Sequence, residues 1–130
     1  ADDSGICVDA LNGAPGVYSA RFAGEPKSDE RNNQKLIESL QGQANRKAHY
    51  YCVMVYVRYP DDPQPIIAEG AWHGEIIDTP RGTGGFGYDP YFLVPEFAKT
   101  GAELGQDEKN AVSHRGQALR ALAQKLRALD

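Results

Sequence analysis

The stretch His49–Ile77, HYYCVMVYVRYPDDPQPIIAEGAWHGEII, decides the architecture. Its first part, His49 to Tyr59, is dense in β-branched and aromatic residues and reads as a strand. Asp61-Asp62-Pro63 supplies a turn, and Ile66 to Ile77 reads as one or two further strands. The stretch is therefore a β-hairpin with a slightly wide connection. On its N-terminal side, Asn33, Leu36, Ile37 and Leu40 recur at helical spacing within Asp29–Leu40. Asp29 is the expected N-cap and Gly42 the C′ stop. Further upstream come the apolar run Ile6–Leu11, the turn Asn12–Gly16 and an irregular or extended segment from Val17 to Ala23.

On the C-terminal side, a Gly-rich loop from Pro80 to Pro90 precedes a short buried strand, Tyr91–Val94. Thr100-Gly101-Ala102-Glu103 has the spacing of a capping box before a short helix. A final helix is expected from Ser113 to Leu129, with Leu119, Leu122, Leu126 and Leu129 along one face. Strands interspersed with helices predict an α/β fold with a central mixed β-sheet flanked by helices.

The bulk composition fits one globular domain over residues 1–130, with 41% apolar and 25% charged residues. A net charge of −4 provides no basic field for nucleic acid or anionic lipid, so anion binding must be local. No apolar run is long enough for a membrane span. Cys7 and Cys52 are too few for a disulfide framework or a zinc knuckle and read as buried thiols of a cytoplasmic protein. His49 and His73 lie in strands, spaced unlike metal ligands.

Three clusters carry chemistry. In Asp2-Asp3-Ser4-Gly5, adjacent carboxylates suit a hard cation such as Mg²⁺, which takes few carboxylates and bridges to phosphate oxygens. A solvated turn accounts for the same four residues. On an extended chain Asp2 and Asp3 point to opposite faces, so one can meet a metal while the other orients the backbone. In Thr83-Gly84-Gly85-Phe86-Gly87-Tyr88-Asp89-Pro90, glycines let the backbone approach a ligand, and Phe86 between them suits stacking on a base, where Asp89 could accept a ring N–H. A hairpin loop with a tucked Phe86 is the alternative. The glycine order matches neither a Walker loop nor a dinucleotide fingerprint. Lys109 lies just before the last helix, and His114 and Arg115 of Ser113-His114-Arg115-Gly116 stand in its first turn against the macrodipole, a conflict expected where function overrides stability. A surface Lys and an ordinary N-terminal turn are the alternative.

Taken together and in order, these clusters and Gly13-Ala14-Pro15-Gly16-Val17-Tyr18-Ser19-Ala20-Arg21 resemble the inosine/xanthosine triphosphate pyrophosphatase (RdgB-like) family across nearly the whole chain. The resemblance implies a two-lobed α/β fold, usually homodimeric, that cleaves ITP, dITP or XTP to a monophosphate and pyrophosphate with Mg²⁺. It implies Asp3 as general base and metal-side carboxylate. Ser4, Phe86, Gly87, Tyr88, Asp89, Lys109, His114 and Arg115 are the implied substrate contacts. Family members begin with a phosphate-holding loop and a helix bearing a further acidic metal ligand. Neither is found in this chain, so the expectation is a chain lacking its N-terminal segment and negligible ITP hydrolysis by the chain alone. A Maf-like pyrophosphatase of other specificity and a non-catalytic nucleotide-binding module are the competing readings.

Overall fold

Alternation of side chains along the strands explains the sheet seen in the computed structural model, which describes residues 1–129. Five strands lie in chain order: β1 (Asp2–Val8), β2 (Lys47–Tyr56), β3 (Ile66–Ile76), β4 (Phe92–Val94) and β5 (Lys99–Thr100). In β2 every second residue, Ala48, Tyr50, Cys52 and Met54, is buried, while those between are half-buried. The register places Ile6 opposite Tyr50 and Tyr50 opposite Trp72, so even-numbered residues of the three long strands share one face. That face carries the core, with Val8, Ile76, Phe92, Val94 and Leu104. The other face carries Asp3, Cys7, His49, Tyr51, Glu69 and His73. A sheet with one packed face is the arrangement that such alternation dictates.

The sheet corrects one expectation. Among the described residues every strand pairing is antiparallel, not mixed. Antiparallel neighbours need only short connections, whereas parallel ones need a crossover of a dozen or more residues. β2 to β3 and β4 to β5 are joined by such short connections, whereas α1 lies between β1 and β2 and the Gly-rich loop between β3 and β4, both returning the chain to the adjacent antiparallel position.

Helices α1 (Asp29–Ser39), α2 (Gln106–Val112) and α3 (His114–Arg127) complete the fold. Ser28, not Asp29, caps α1, its hydroxyl accepting the Arg31 N–H at 3.2 Å. Leu36 and Leu40 of this segment enter the main core. The expected irregular segment is a 3₁₀ helix, Gly16–Arg21, packed against β1. Glu103 does accept the Thr100 N–H at 2.9 Å, as a capping box requires, but the chain turns there without forming a helix. The helix start falls later, where Glu108 accepts the Gly105 N–H at 3.2 Å.

α3 begins behind Ser113, whose hydroxyl accepts the Gly116 N–H at 3.1 Å. The leucine stripe is only partly its buried face: Leu122 and Leu126 are half-buried, while Leu119 and Leu129 are exposed. Ala118 is fully buried beside Cys52 and Met54, Leu122 packs against that cluster, and Leu119 is 57% exposed. The reason is close approach: a Cβ on Gly70 of β3 would lie 2.2 Å from the His114 carbonyl oxygen and 2.8 Å from the Ala118 nitrogen. Backbone meets backbone at that point, so only small residues fit. Cys52 is buried as expected, but Cys7 is only half-buried. No helix among the described residues is long and apolar enough to cross a membrane.

Candidate active site

Among the described residues β1 has a strand neighbour on one side only, and a cleft of about 840 Å³ runs along its other edge. This volume is in the range of small-molecule sites, ~300–1,000 Å³. Ser4, Gly5 and Ile6 form its floor, and the starts of α2 and α3 one wall. Ile6 N–H donates to Ser19 Oγ (2.9 Å) and Val8 N–H to the Ala14 carbonyl (3.1 Å), so even-numbered residues of β1 turn their backbone groups outward. By the same alternation the backbone N–H and carbonyl of exposed Ser4 face the cleft.

The organising group is a buried carboxylate. Asp89, 3% exposed, accepts the Tyr50 hydroxyl at 2.9 Å on Oδ1, and on Oδ2 the Lys109 ammonium at 2.6 Å and the Phe86 N–H at 3.1 Å. Each bond carries a consequence. The first fixes β2 to the loop and the second ties α2 to it. The third, with Phe86 accepting the Asp89 N–H at 3.2 Å, closes a tight turn. That turn leaves no room at Gly85, where a Cβ would lie 2.4 Å from Asp89 Oδ2 and φ is +69°. Asp89 is thus committed inside the protein and is not the open acceptor for a base N–H expected from the sequence.

Phe86 stands out from this turn, 71% exposed, with Lys109 Nζ 4.7 Å from its ring centroid. A cation on one face and solvent on the other make a ring that is anchored yet open to stacking. Gly87 is held by α1, its N–H donating to Asp29 (3.1 Å) and its carbonyl accepting from Asn33 (3.0 Å). Tyr88 is buried, its hydroxyl donating to the Ser19 carbonyl at 2.6 Å, and burial raises its pKa. Within Phe86–Asp89, only Phe86 offers an uncommitted side chain to the cleft.

His114 lies flat beside Tyr50, ring centroids 4.8 Å apart and planes 12° apart. Burial first, then the cations Arg115 and Lys109, lower its pKa to about 4, so it is a neutral imidazole. Its Nδ1 is buried without a partner among the described residues. Arg115 ion-pairs with Asp2 at 2.5 Å. Lys109 and Arg115 therefore enter the cleft wall already paired with carboxylates, which offsets the like charges of adjacent cations.

The cleft brings together Ser4, Phe86, Gly87, Tyr88, Asp89, Lys109, His114 and Arg115. Asp3 does not line it. Asp2 and Ser4 share the cleft side of β1, and the alternation sends Asp3 off the opposite face, toward that of Val53 and Glu69. Among the described residues no group of three or more His, Cys, Asp or Glu side chains is placed to hold a metal ion. Sequence reasoning missed Tyr50, because a core aromatic in a strand carries no local mark of what it touches 39 residues away. It also left Asp2 without a partner: the opposite-face alternation gave one of the two carboxylates to a metal and the other to orienting the backbone, with nothing local to show Arg115 beside Asp2.

The comparisons with known proteins agree with this geometry. The model of the Ham1 family matches residues 1–125. The chain is 65% identical over 133 residues to the dITP/XTP pyrophosphatase of Ralstonia nicotianae, covering 100% of this chain and 66% of that protein. It is 67% identical over 129 residues to that of Chromobacterium violaceum, covering 99% and 66%. The structure of a HAM1 protein from Coxiella burnetii superposes with a TM-score of 0.95 at 48% identity, over 98% of this chain and 66% of that one. The chain thus spans slightly less than two thirds of the length of these relatives. With the family model matched across almost all of its residues, the chain belongs to the Ham1 family.

Proposed function

We propose that this chain forms the base-recognising part of a pyrophosphohydrolase for non-standard purine nucleotides, converting ITP, dITP or XTP and water to the monophosphate and pyrophosphate. One observation carries the reading: an open aromatic, Phe86, faces the same cleft as a neutral imidazole and a guanidinium. The names of the relatives from Ralstonia nicotianae and Chromobacterium violaceum support the substrate class.

The purine stacks on the free face of Phe86, a contact worth about 1–3 kcal/mol in nucleic-acid binders. Its edge meets Arg115 and neutral His114. A 6-oxo purine presents an acceptor to the Arg115 donors, whereas adenine would aim an amino donor at them and leave buried groups unpaired. Sites built on such polarity reject the mismatched analogue by factors of ~10⁴. Ser4 supplies backbone groups at the floor.

Asp3 acts as general base: a water oxygen attacks the α-phosphorus, the bond to the bridging oxygen of the β-phosphate breaks, and the proton of the attacking water passes to the Asp3 carboxylate. Because Asp3 leaves β1 on the face away from the cleft, the triphosphate must pass around the strand edge to reach it. For Mg²⁺, exposed Asp3 fits as a single carboxylate ligand of the kind this ion uses together with water and substrate oxygens. Bound Mg²⁺ supplies charge neutralisation of the phosphates. A homodimer belongs to the same proposal, and the solution mass tests it.

Pyrophosphate release from ITP, XTP, GTP, ATP, CTP and UTP, measured on the protein extended to the length of its relatives, tests the activity. Selective turnover of ITP and XTP is expected. Equal turnover of pyrimidine nucleotides would favour the Maf-like alternative, and binding without turnover a non-catalytic module.

A further inference from the structure

Asp2 has no role in the site just proposed, yet it makes the longest-range side-chain ion pair of the cleft, 113 residues apart in sequence. Its carboxylate leaves β1 on the face that α3 covers, since its cross-strand partner Met54 packs with Ala118 of α3. There Oδ2 meets the Arg115 guanidinium in the first turn of α3. Both side chains are partly exposed, 56% for Arg115 and 37% for Asp2, so the pair adds little to stability. Its effect is on position: a long side chain otherwise free to sample many rotamers is held at the cleft wall.

We infer that Asp2 is a positioning residue for base selection, acting through Arg115. Its carboxylate orients the guanidinium so that the remaining N–H donors face the edge of the purine. The inference rests on the proposed nucleotide reading and deepens it. The next residue, Asp3, leaves the other face of the same strand. One dipeptide therefore divides the work: Asp2 sets which base is held, and Asp3 serves the phosphate side.

The test is the ratio of inosine monophosphate to adenosine monophosphate affinity, measured by calorimetry on this chain, which contains all the groups concerned. Asp2→Asn should lower the ratio by about tenfold, the order expected for loosening a charge-assisted contact. Asp2→Glu should restore most of it, and thermal melting should remain close to that of the unaltered protein. In an Arg115→Ala background Asp2→Asn should have no further effect, because the two act as one unit. An unaltered ratio in Asp2→Asn, or additive effects in the double variant, would overturn the inference while leaving the nucleotide reading intact. If the unaltered protein does not distinguish the two monophosphates, the nucleotide reading itself fails and takes this inference with it.

Discussion

Asp89 and Lys109 show how the cleft surface is held from beneath. Their side chains are 5% and 15% exposed, and their contact sits under an aromatic that is itself open to solvent. Removing one partner of such a pair leaves an uncompensated buried charge, at a cost of about 3–5 kcal/mol. We expect Asp89→Ala to be destabilised by roughly that amount in urea unfolding. Lys109→Met should cost less, since Asp89 keeps the Tyr50 hydroxyl and the Phe86 N–H. His114 makes a different contribution. Its pKa is lowered from 6.5 to about 4 in the folded chain, by burial above all. Between these values the unfolded chain takes up a proton that the folded chain refuses, so stability from this group is fully present above the upper value and falls as pH drops toward the lower. His114→Gln should flatten the dependence of unfolding free energy on pH across that window. An unchanged slope would show that His114 is not held neutral. Phe86, His114 and Arg115 were legible as site candidates because an aromatic between glycines and cations at a helix start suit a ligand better than they suit a turn or a helix end. Asp89 was legible as important but wrongly cast, because nothing local shows that Tyr50 and Lys109 consume its oxygens.

At the scale of elements, the contact of α3 with β3 governs the cleft wall. Gly70 lies under His114 and Ala118 with no space for a methyl group. Gly70→Ala must lift the helix or bend the strand, and overpacking of this kind costs about 1–3 kcal/mol. The same displacement moves His114 and Arg115, so inosine monophosphate affinity should fall together with the melting temperature. A variant with normal affinity and lowered stability would separate the helix position from recognition. β2, β3 and α1 could be read directly, the strands from β-branched and aromatic residues on either side of a turn and the helix from its three-four spacing. The buried side of α3 could not. Leucines suggest a core stripe, but the glycine that dictates small residues at the contact lies on another element, 48 positions before Ala118. The antiparallel sheet was missed for a related reason: strand order is set by the lengths of connections and the packing around them, which periodicity does not encode.

Across the whole molecule, the cleft is the meeting place of residues from β1, β2, the Gly-rich loop, α2 and α3. Eight of the nine candidates named from the sequence line it, and the ninth, Asp3, lies on the other side of the same strand. On the proposed reading the base side of the reaction falls within these residues, while Asp3 stands apart, on the opposite face of the sheet. Recognition of the purine should then be measurable on this chain without turnover. ¹H–¹⁵N NMR during titration with inosine monophosphate is the most direct measurement. Amide shifts concentrated at Ser4, Gly85–Gly87, Lys109 and His114–Gly116, with the Phe86 ring protons moving upfield, are the expected result. Saturating shifts confined to the sheet face of His49 and His73, or none at millimolar nucleotide, would contradict a purine site in this cleft.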